Sequence, residues 1–237
     1  MITLNSVTKK YGPLTVVDNV SYTIAQGEYF ALLGPNGAGK TTTVKMLLDF
    51  VRPTSGSITI GDVPSTCPIA RKDVGYCAEN HRIPGHLSGM EYLRRVGELS
   101  GLSKQDAKLK AAAIIERVGM EGKEKLEVRT YSKGMTQRIA LGGALIADPK
   151  LLILDEPVSG LDPIGIREVR EILESLKSLG TTVVLNSHLL SEVEKTCDTA
   201  AIMNKGKILV KEKLSSIISG GETLEDVFVR LVKDGHA

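Results

Sequence analysis

Short apolar runs rich in β-formers alternate along this chain with stretches whose apolar residues recur at helical spacing, a pattern that predicts an α/β fold. Tyr29 to Leu33 reads as a buried strand. A glycine-rich turn follows, then a helix with Val44, Leu47, Leu48 and Val51 at i, i+3, i+4 and i+7, ended by Pro53 and Gly56. Further strands are expected at Ser57 to Ile60, Val74 to Cys77, Leu151 to Leu154, Thr181 to Asn186 and Ala200 to Met203, sharing one mostly parallel sheet.

Between residues 85 and 148 the texture changes. Ser88 with Glu91 and Ser103 with Asp106 have the spacing of helix-starting caps, and Ala111, Ile114, Ile115 and Val118 form an apolar stripe. The stretch reads as an inserted helical lobe. Pro163 then opens a helix with Val169, Ile172, Leu173 and Leu176 turned inward, and Gly180 ends it. In the segment 208–237, Leu224, Val227, Phe228 and Leu231 recur at helical spacing, which marks a face packed on the rest of the domain.

Composition narrows the class. With 237 residues, 42% of them hydrophobic, the chain is long enough to bury an ordinary core. A net charge of +2, with no run of like charge, gives no sign of a nucleic-acid tail or a polybasic membrane anchor. The longest apolar runs fall far short of a membrane span, and MITLNSVTKK lacks the pattern of a secretory signal, so the expected compartment is the cytoplasm. Cys67, Cys77 and Cys197 show no CxxC spacing, which argues against a disulfide framework or a zinc site.

Candidate chemistry begins at GPNGAGKT, which matches GxxxxGK[ST] between a predicted strand and a predicted helix. In Gly34, Pro35, Asn36, Gly37, Ala38 and Gly39 the glycines let successive backbone N–H groups turn toward phosphate oxygens. Lys40 reaches the β- and γ-phosphates, the Thr41 hydroxyl is placed for Mg²⁺, and Thr42 adds a phosphate contact. By itself this loop fits a GTPase, a kinase, a helicase or a transporter ATPase equally well.

LLILDEP is an apolar strand ending in two carboxylates. Charge at the end of a buried strand needs a cation or water, so Asp155 is read as a Mg²⁺-site carboxylate. Its neighbour Glu156 is then the candidate to orient or deprotonate the attacking water. His188 follows the strand TTVVLNS, where it is either a γ-phosphate contact or a solvated residue; His81, His86 and His236 lack such a context.

The order of these elements, with YSKGMTQR at Tyr131 to Arg138 and SGLDP at Ser159 to Pro163, resembles the ATP-binding subunits of ABC transporters over nearly the whole chain. SKGM at Ser132 to Met135 stands where that family usually shows SGGQ, and the variant is similar to that of many ABC-2-type export ATPases. The resemblance implies one ABC ATPase domain over residues 1–237. Its fold would be a P-loop NTPase with a mostly parallel core sheet, an N-terminal antiparallel β subdomain and an inserted helical subdomain. It implies ATP and Mg²⁺ as cofactors, with Ser132 and Gly134 binding the γ-phosphate held by a second, opposite ATP-binding subunit. Asp162 would cross the dimer interface, His188 would be the switch residue and Tyr11 would stack on adenine. Glu79 stands where the family commonly has a glutamine that contacts Mg²⁺ or water and relays nucleotide state to a membrane subunit. An integral-membrane permease, usually with a homodimer of this chain at its cytoplasmic face, would be the partner, with no specific nucleic acid. A non-transport ABC ATPase acting as a regulatory or mechanical switch is the alternative.

Overall fold

The computed structural model describes residues 1–218 and 221–234. The chain divides into two compact units, Met1–Lys72 with the segment from Thr182 onward, and Asp73–Thr181.

The first unit starts with two long strands, β1 (Ile2–Tyr11) and β2 (Leu14–Ile24), paired antiparallel. Ile2 and Leu4 are buried while Thr3 and Asn5 face water, so one side of this sheet is a core face. β3 (Tyr29–Leu33) is buried throughout and runs into α1 (Lys40–Leu47). Helix α1 stops before Pro53: Asp49 takes a left-handed φ of 58° and the Phe50 N–H donates to the Lys45 carbonyl, closing the helix end. β4 (Ser55–Ile60) and β5 (Val63–Pro64) follow. The expectation that Ser57 to Ile60 belongs to the parallel sheet is wrong. β4 pairs antiparallel with β1, bringing Ile58 opposite Leu4 and Ile60 opposite Ile2, so these apolar residues complete the face of the N-terminal sheet.

The second unit holds β6 (Val74–Cys77), α2 (Gly89–Leu99), α3 (Lys104–Arg117), α4 (Lys133–Leu145), β7 (Leu151–Asp155) and α5 (Pro163–Lys177). Ser88 and Glu91 form a reciprocal capping box at the start of α2, and Ser103 caps α3. Ala111, Ile114, Ile115 and Val118 are buried, and α2, α3 and α4 pack on one another. β6 and β7 run parallel, with Cys77 opposite Leu154. Pro163 occupies the first turn of α5, whose inward face of Val169, Ile172, Leu173 and Leu176 is buried.

The chain returns to the first unit at β8 (Thr182–Asn186), followed by α6 (Leu190–Thr196), β9 (Thr199–Asn204), β10 (Lys207–Lys213), α7 (Leu214–Ile217) and α8 (Leu224–Asp234). β3 is flanked on both sides by parallel partners, β8 and β9, and β10 adds an antiparallel strand beyond β9. Leu224 and Val227 of α8 are buried, Phe228 and Leu231 are half-buried, and the helix packs on α6 and α7. The segment 208–237 extends past the described residues, and His236 lies outside them. Among the described residues no helix is long and apolar enough to cross a membrane.

Candidate nucleotide site

The loop Gly34–Thr41 leaves β3 at its C-terminal end and is buried at its base, while Asn36 and Gly37 are exposed at its crest. Gly39 has φ 107°, and a Cβ there would lie 2.6 Å from the Val16 carbonyl and 2.8 Å from Met203 Cε. Any side chain at Gly39 would therefore be both strained and blocked. The turn between β9 and β10 braces the loop, because the Gly206 N–H donates to the Ala38 carbonyl at 3.0 Å and the Gly206 carbonyl accepts from the Asp18 N–H at 2.8 Å.

Lys40 is the first residue of α1, is buried, and donates to the carbonyl oxygens of Gly34 at 2.7 Å and Pro35 at 3.2 Å. Helix α1 has no side-chain cap and no acid in its first turn, so the leading N–H groups and the positive end of the helix dipole are left to an anion. Helices α2, α3 and α8, by contrast, each carry an acid there. Phosphate therefore fits α1 and does not fit those three. Thr41 is exposed at this end and Thr42 is half-buried. His188, exposed, follows β8, whose parallel pairing with β3 places it at the same strand edge as the loop. Tyr11, at the end of β1, is 47% exposed, and the Lys9 ammonium stands 5.0 Å from its ring centroid. The sequence reading missed this Lys9 contact.

In the second unit the C-terminal edge of the β6–β7 pair gathers Asp155, Glu156 and Glu79. Asp155 is buried; Glu79 is exposed, two residues beyond β6. Burial pushes the Cys77 thiol up to about 12, with the Asp155 charge adding to the effect, and the same two causes raise Tyr76. Glu156 adopts a left-handed φ of 51°, an uncommon conformation for a non-glycine residue and one often held at functional positions. Among the described residues no cluster of three His, Cys, Asp or Glu offers a metal cage. A Mg²⁺ ion suits such a sparse set, since it is ordinarily bound by one or two protein ligands together with phosphate oxygens and water.

Ser132 is the N-cap of α4, its Oγ accepting from the Met135 N–H at 3.2 Å. Asp162 caps α5 in the same way, accepting from the Gly165 N–H at 2.8 Å. The two helix starts share a cleft of about 310 Å³ whose lining includes Ser132, Gly134 and Asp162 together with Lys133, Arg138 and Glu168, the last two ion-paired at 3.3 Å. Like α1, α4 has no acid in its first turn. A larger cavity of about 830 Å³, beside Arg117, Arg138 and Glu171, contains none of the predicted site residues.

A phosphate loop between a buried strand and a helix, with an acid-ended parallel strand and two capped helix starts, defines a P-loop nucleotide-binding fold. The ABC transporter family model matches residues 17–159. An ABC transporter ATP-binding protein of Synechocystis is 42% identical over 210 residues, 88% of this chain and 59% of its own length. The lantibiotic transport ATP-binding protein SrtF of Streptococcus pyogenes is 39% identical over 228 residues, 96% of each chain. The solved ATP binding subunit of an ABC transporter superposes with a TM-score of 0.88 at 28% identity, covering 98% of this chain and 99% of that one. The chain belongs to the ABC transporter family, with the α/β fold of its ATP-binding domains. It spans about three fifths of the Synechocystis relative.

Proposed function

We propose that this chain is the ATP-hydrolysing subunit of an ABC transporter, that two copies close head to tail on two Mg·ATP, and that closure moves a separate membrane permease, in the direction of export. The observation that carries this reading is the pair of acid-free helix starts, α1 behind the phosphate loop and α4 at the cleft of Ser132, Gly134 and Asp162. Each is suited to phosphate, and a γ-phosphate shared between two subunits needs one of each. The lantibiotic-transport relative supports a transporter role, and the similarity of SKGM to export ATPases supports the export direction.

In this reading the loop amides and Lys40 bind the β- and γ-phosphates, and Tyr11 stacks on the base. Thr41 and Asp155 hold Mg²⁺, with Glu79 contributing a further carboxylate. When bound, Mg²⁺ neutralises charge on the phosphate oxygens. Glu156 orients the attacking water and accepts its proton, while His188 contacts the γ-phosphate. Ser132 uses an Oγ lone pair for its cap, so its hydroxyl proton is left for a phosphate oxygen of the opposite subunit. Asp162 meets the partner copy. The stretch 85–148 serves as the lobe that passes nucleotide state on, 208–237 packs on the ATPase domain, and the assembly sits at the cytoplasmic face through its permease.

Glu156→Gln tests the reading. Removing the base is expected to slow hydrolysis by about 10²–10⁴-fold, and ATP should then hold the protein as a dimer in sedimentation experiments. Near wild-type turnover with no ATP-dependent dimer would sink the proposal. Purification in mild detergent should recover a multi-spanning partner; a purely soluble one would favour the non-transport switch. Unchanged hydrolysis and permease coupling in Glu79→Gln would remove any special role for that carboxylate.

A further inference from the structure

The segment leading into Ser132 is stitched to the start of α2. The Val128 N–H donates to the Leu87 carbonyl at 2.8 Å, the Arg129 N–H to Gly85 at 3.0 Å, and the Met90 N–H to Glu124 at 2.9 Å. Ser88 and Glu127 add an antiparallel bridge. After this small ladder the chain makes a 3₁₀ turn at Val128–Thr130, passes through two extended residues, Tyr131 (φ −75°, ψ 146°) and Ser132 (φ −66°, ψ 165°), and enters α4.

The aim of α4 depends on those two residues. Ser132 itself is held by one 3.2 Å cap bond from the Met135 N–H and by the helix it starts. Tyr131 is fixed at both ends: its N–H donates to the Val128 carbonyl at 3.0 Å, and its hydroxyl donates to the Lys123 carbonyl at 2.9 Å. The same hydroxyl oxygen rests against Gly89, the first residue of α2. A Cβ at Gly89 would stand 2.6 Å from that oxygen and 3.0 Å from Ile139 Cδ1, so the glycine is what lets the phenol seat against the helix start. The hydroxyl thus ties α2, the Lys123 turn and the entry to α4 at one point.

We propose that Tyr131 is a positioning residue for Ser132, its hydroxyl, bonded to the Lys123 carbonyl and seated against Gly89 of α2, fixing the direction in which Ser132 and the first amides of α4 are presented to the opposite subunit's phosphate. The inference rests on the reading that Ser132 acts in trans, and it makes a separable claim. Losing the hydroxyl should impair the half-site that receives a partner's nucleotide while sparing the half-site that binds nucleotide within the chain.

The test uses Tyr131→Phe in the Glu156→Gln parent, with the fluorescent analogue MANT-ATP, sedimentation and amide hydrogen exchange. Binding of MANT-ATP to the monomer should stay within about twofold, whereas ATP-dependent dimerisation should weaken by about fivefold or more, as expected for one lost hydrogen bond. Exchange at the Met135 amide should accelerate by a similar factor, with the Asp106 amide, capped by Ser103, as an unchanged reference. Gly89→Ala, which forces the hydroxyl off its seat, should reproduce both effects. If the parent dimerises with ATP and Tyr131→Phe matches it in dimerisation and in Met135 exchange, Tyr131 has no positioning role, even if its thermal midpoint has fallen. A parent that does not dimerise overturns the trans reading itself, and the role of Tyr131 with it.

Discussion

The ammonium of Lys40 lies 2.7 Å from the carbonyl oxygen of Gly34, so the cation at the start of α1 closes the loop from which that helix emerges. The Pro35 carbonyl, 3.2 Å away, shares it. Lys40 thus holds the shape of the loop and, in the proposed reading, also supplies charge to phosphate. Lys40→Met removes both, and hydrolysis is expected to fall by about a hundredfold or more, in line with losing a transition-state donor. Because the carbonyls also lose their donor, MANT-ATP affinity should fall with it. Wild-type turnover in a steady-state phosphate-release assay would contradict this role.

Ser132→Ala separates capping from catalysis. Loss of the Ser132–Met135 cap should cost about 1 kcal/mol, which for a domain of this size lowers the thermal midpoint by roughly 2–4 °C. If Ser132 also meets a partner's phosphate, ATP-dependent dimerisation should fall further than Ser103→Ala makes it fall, since Ser103 caps α3 in the same way. Equal effects of the two variants on dimerisation would reduce Ser132 to an ordinary cap.

Glu91 supplies a pH dependence. Its carboxylate accepts from the Ser88 N–H at 2.9 Å and from the Ser88 hydroxyl at 3.0 Å, and these bonds, the backbone one first, hold its pKa below the usual glutamate value. A lowered folded pKa contributes stability that is full above the unfolded value, about 4.3, and is lost as the pH falls through the folded one. Wild type should therefore lose this contribution on acidification below about pH 4. Glu91→Gln, which has no charge to lose, should show a smaller drop in urea midpoint between pH 7 and pH 3, and an equal drop would refute the assignment.

The cysteines should differ sharply in reactivity. Cys67 is exposed, whereas Cys77 and Cys197 are buried. Burial pushes the Cys77 thiol up to about 12, so at pH 8 it stays protonated and unreactive. Iodoacetamide at pH 8 should therefore modify Cys67 alone in the native protein and all three cysteines in denaturant, counted by intact-mass spectrometry. Native modification of Cys77 would show that the β6 edge opens.

What could be read from the sequence was what is local. The phosphate loop between β3 and α1, the capping box at Ser88 and Glu91, Pro163 opening α5, and the apolar strand ending at Asp155 are each set by a few neighbouring residues whose backbone preferences and burial pattern agree. Partnership over distance was not legible. A strand has the same period whichever partner it joins, so Ser57 to Ile60 carried no sign that β1 would claim it for the antiparallel sheet. The left-handed Asp49 that ends α1 gave way in the pattern to the more conspicuous Pro53.

The same division runs through the candidate site. GPNGAGKT by itself determined a glycine-rich turn between strand and helix with a lysine at the helix start, because glycine torsions, helix start and charge all lie within eight residues. Only the tertiary structure decided that Gly39 must be glycine against Val16 and Met203, that Gly206 braces Ala38, and that Tyr131 is seated on Gly89 and Lys123. Those contacts join residues from different elements, and they arise only when burial of the separate apolar faces has packed those elements together.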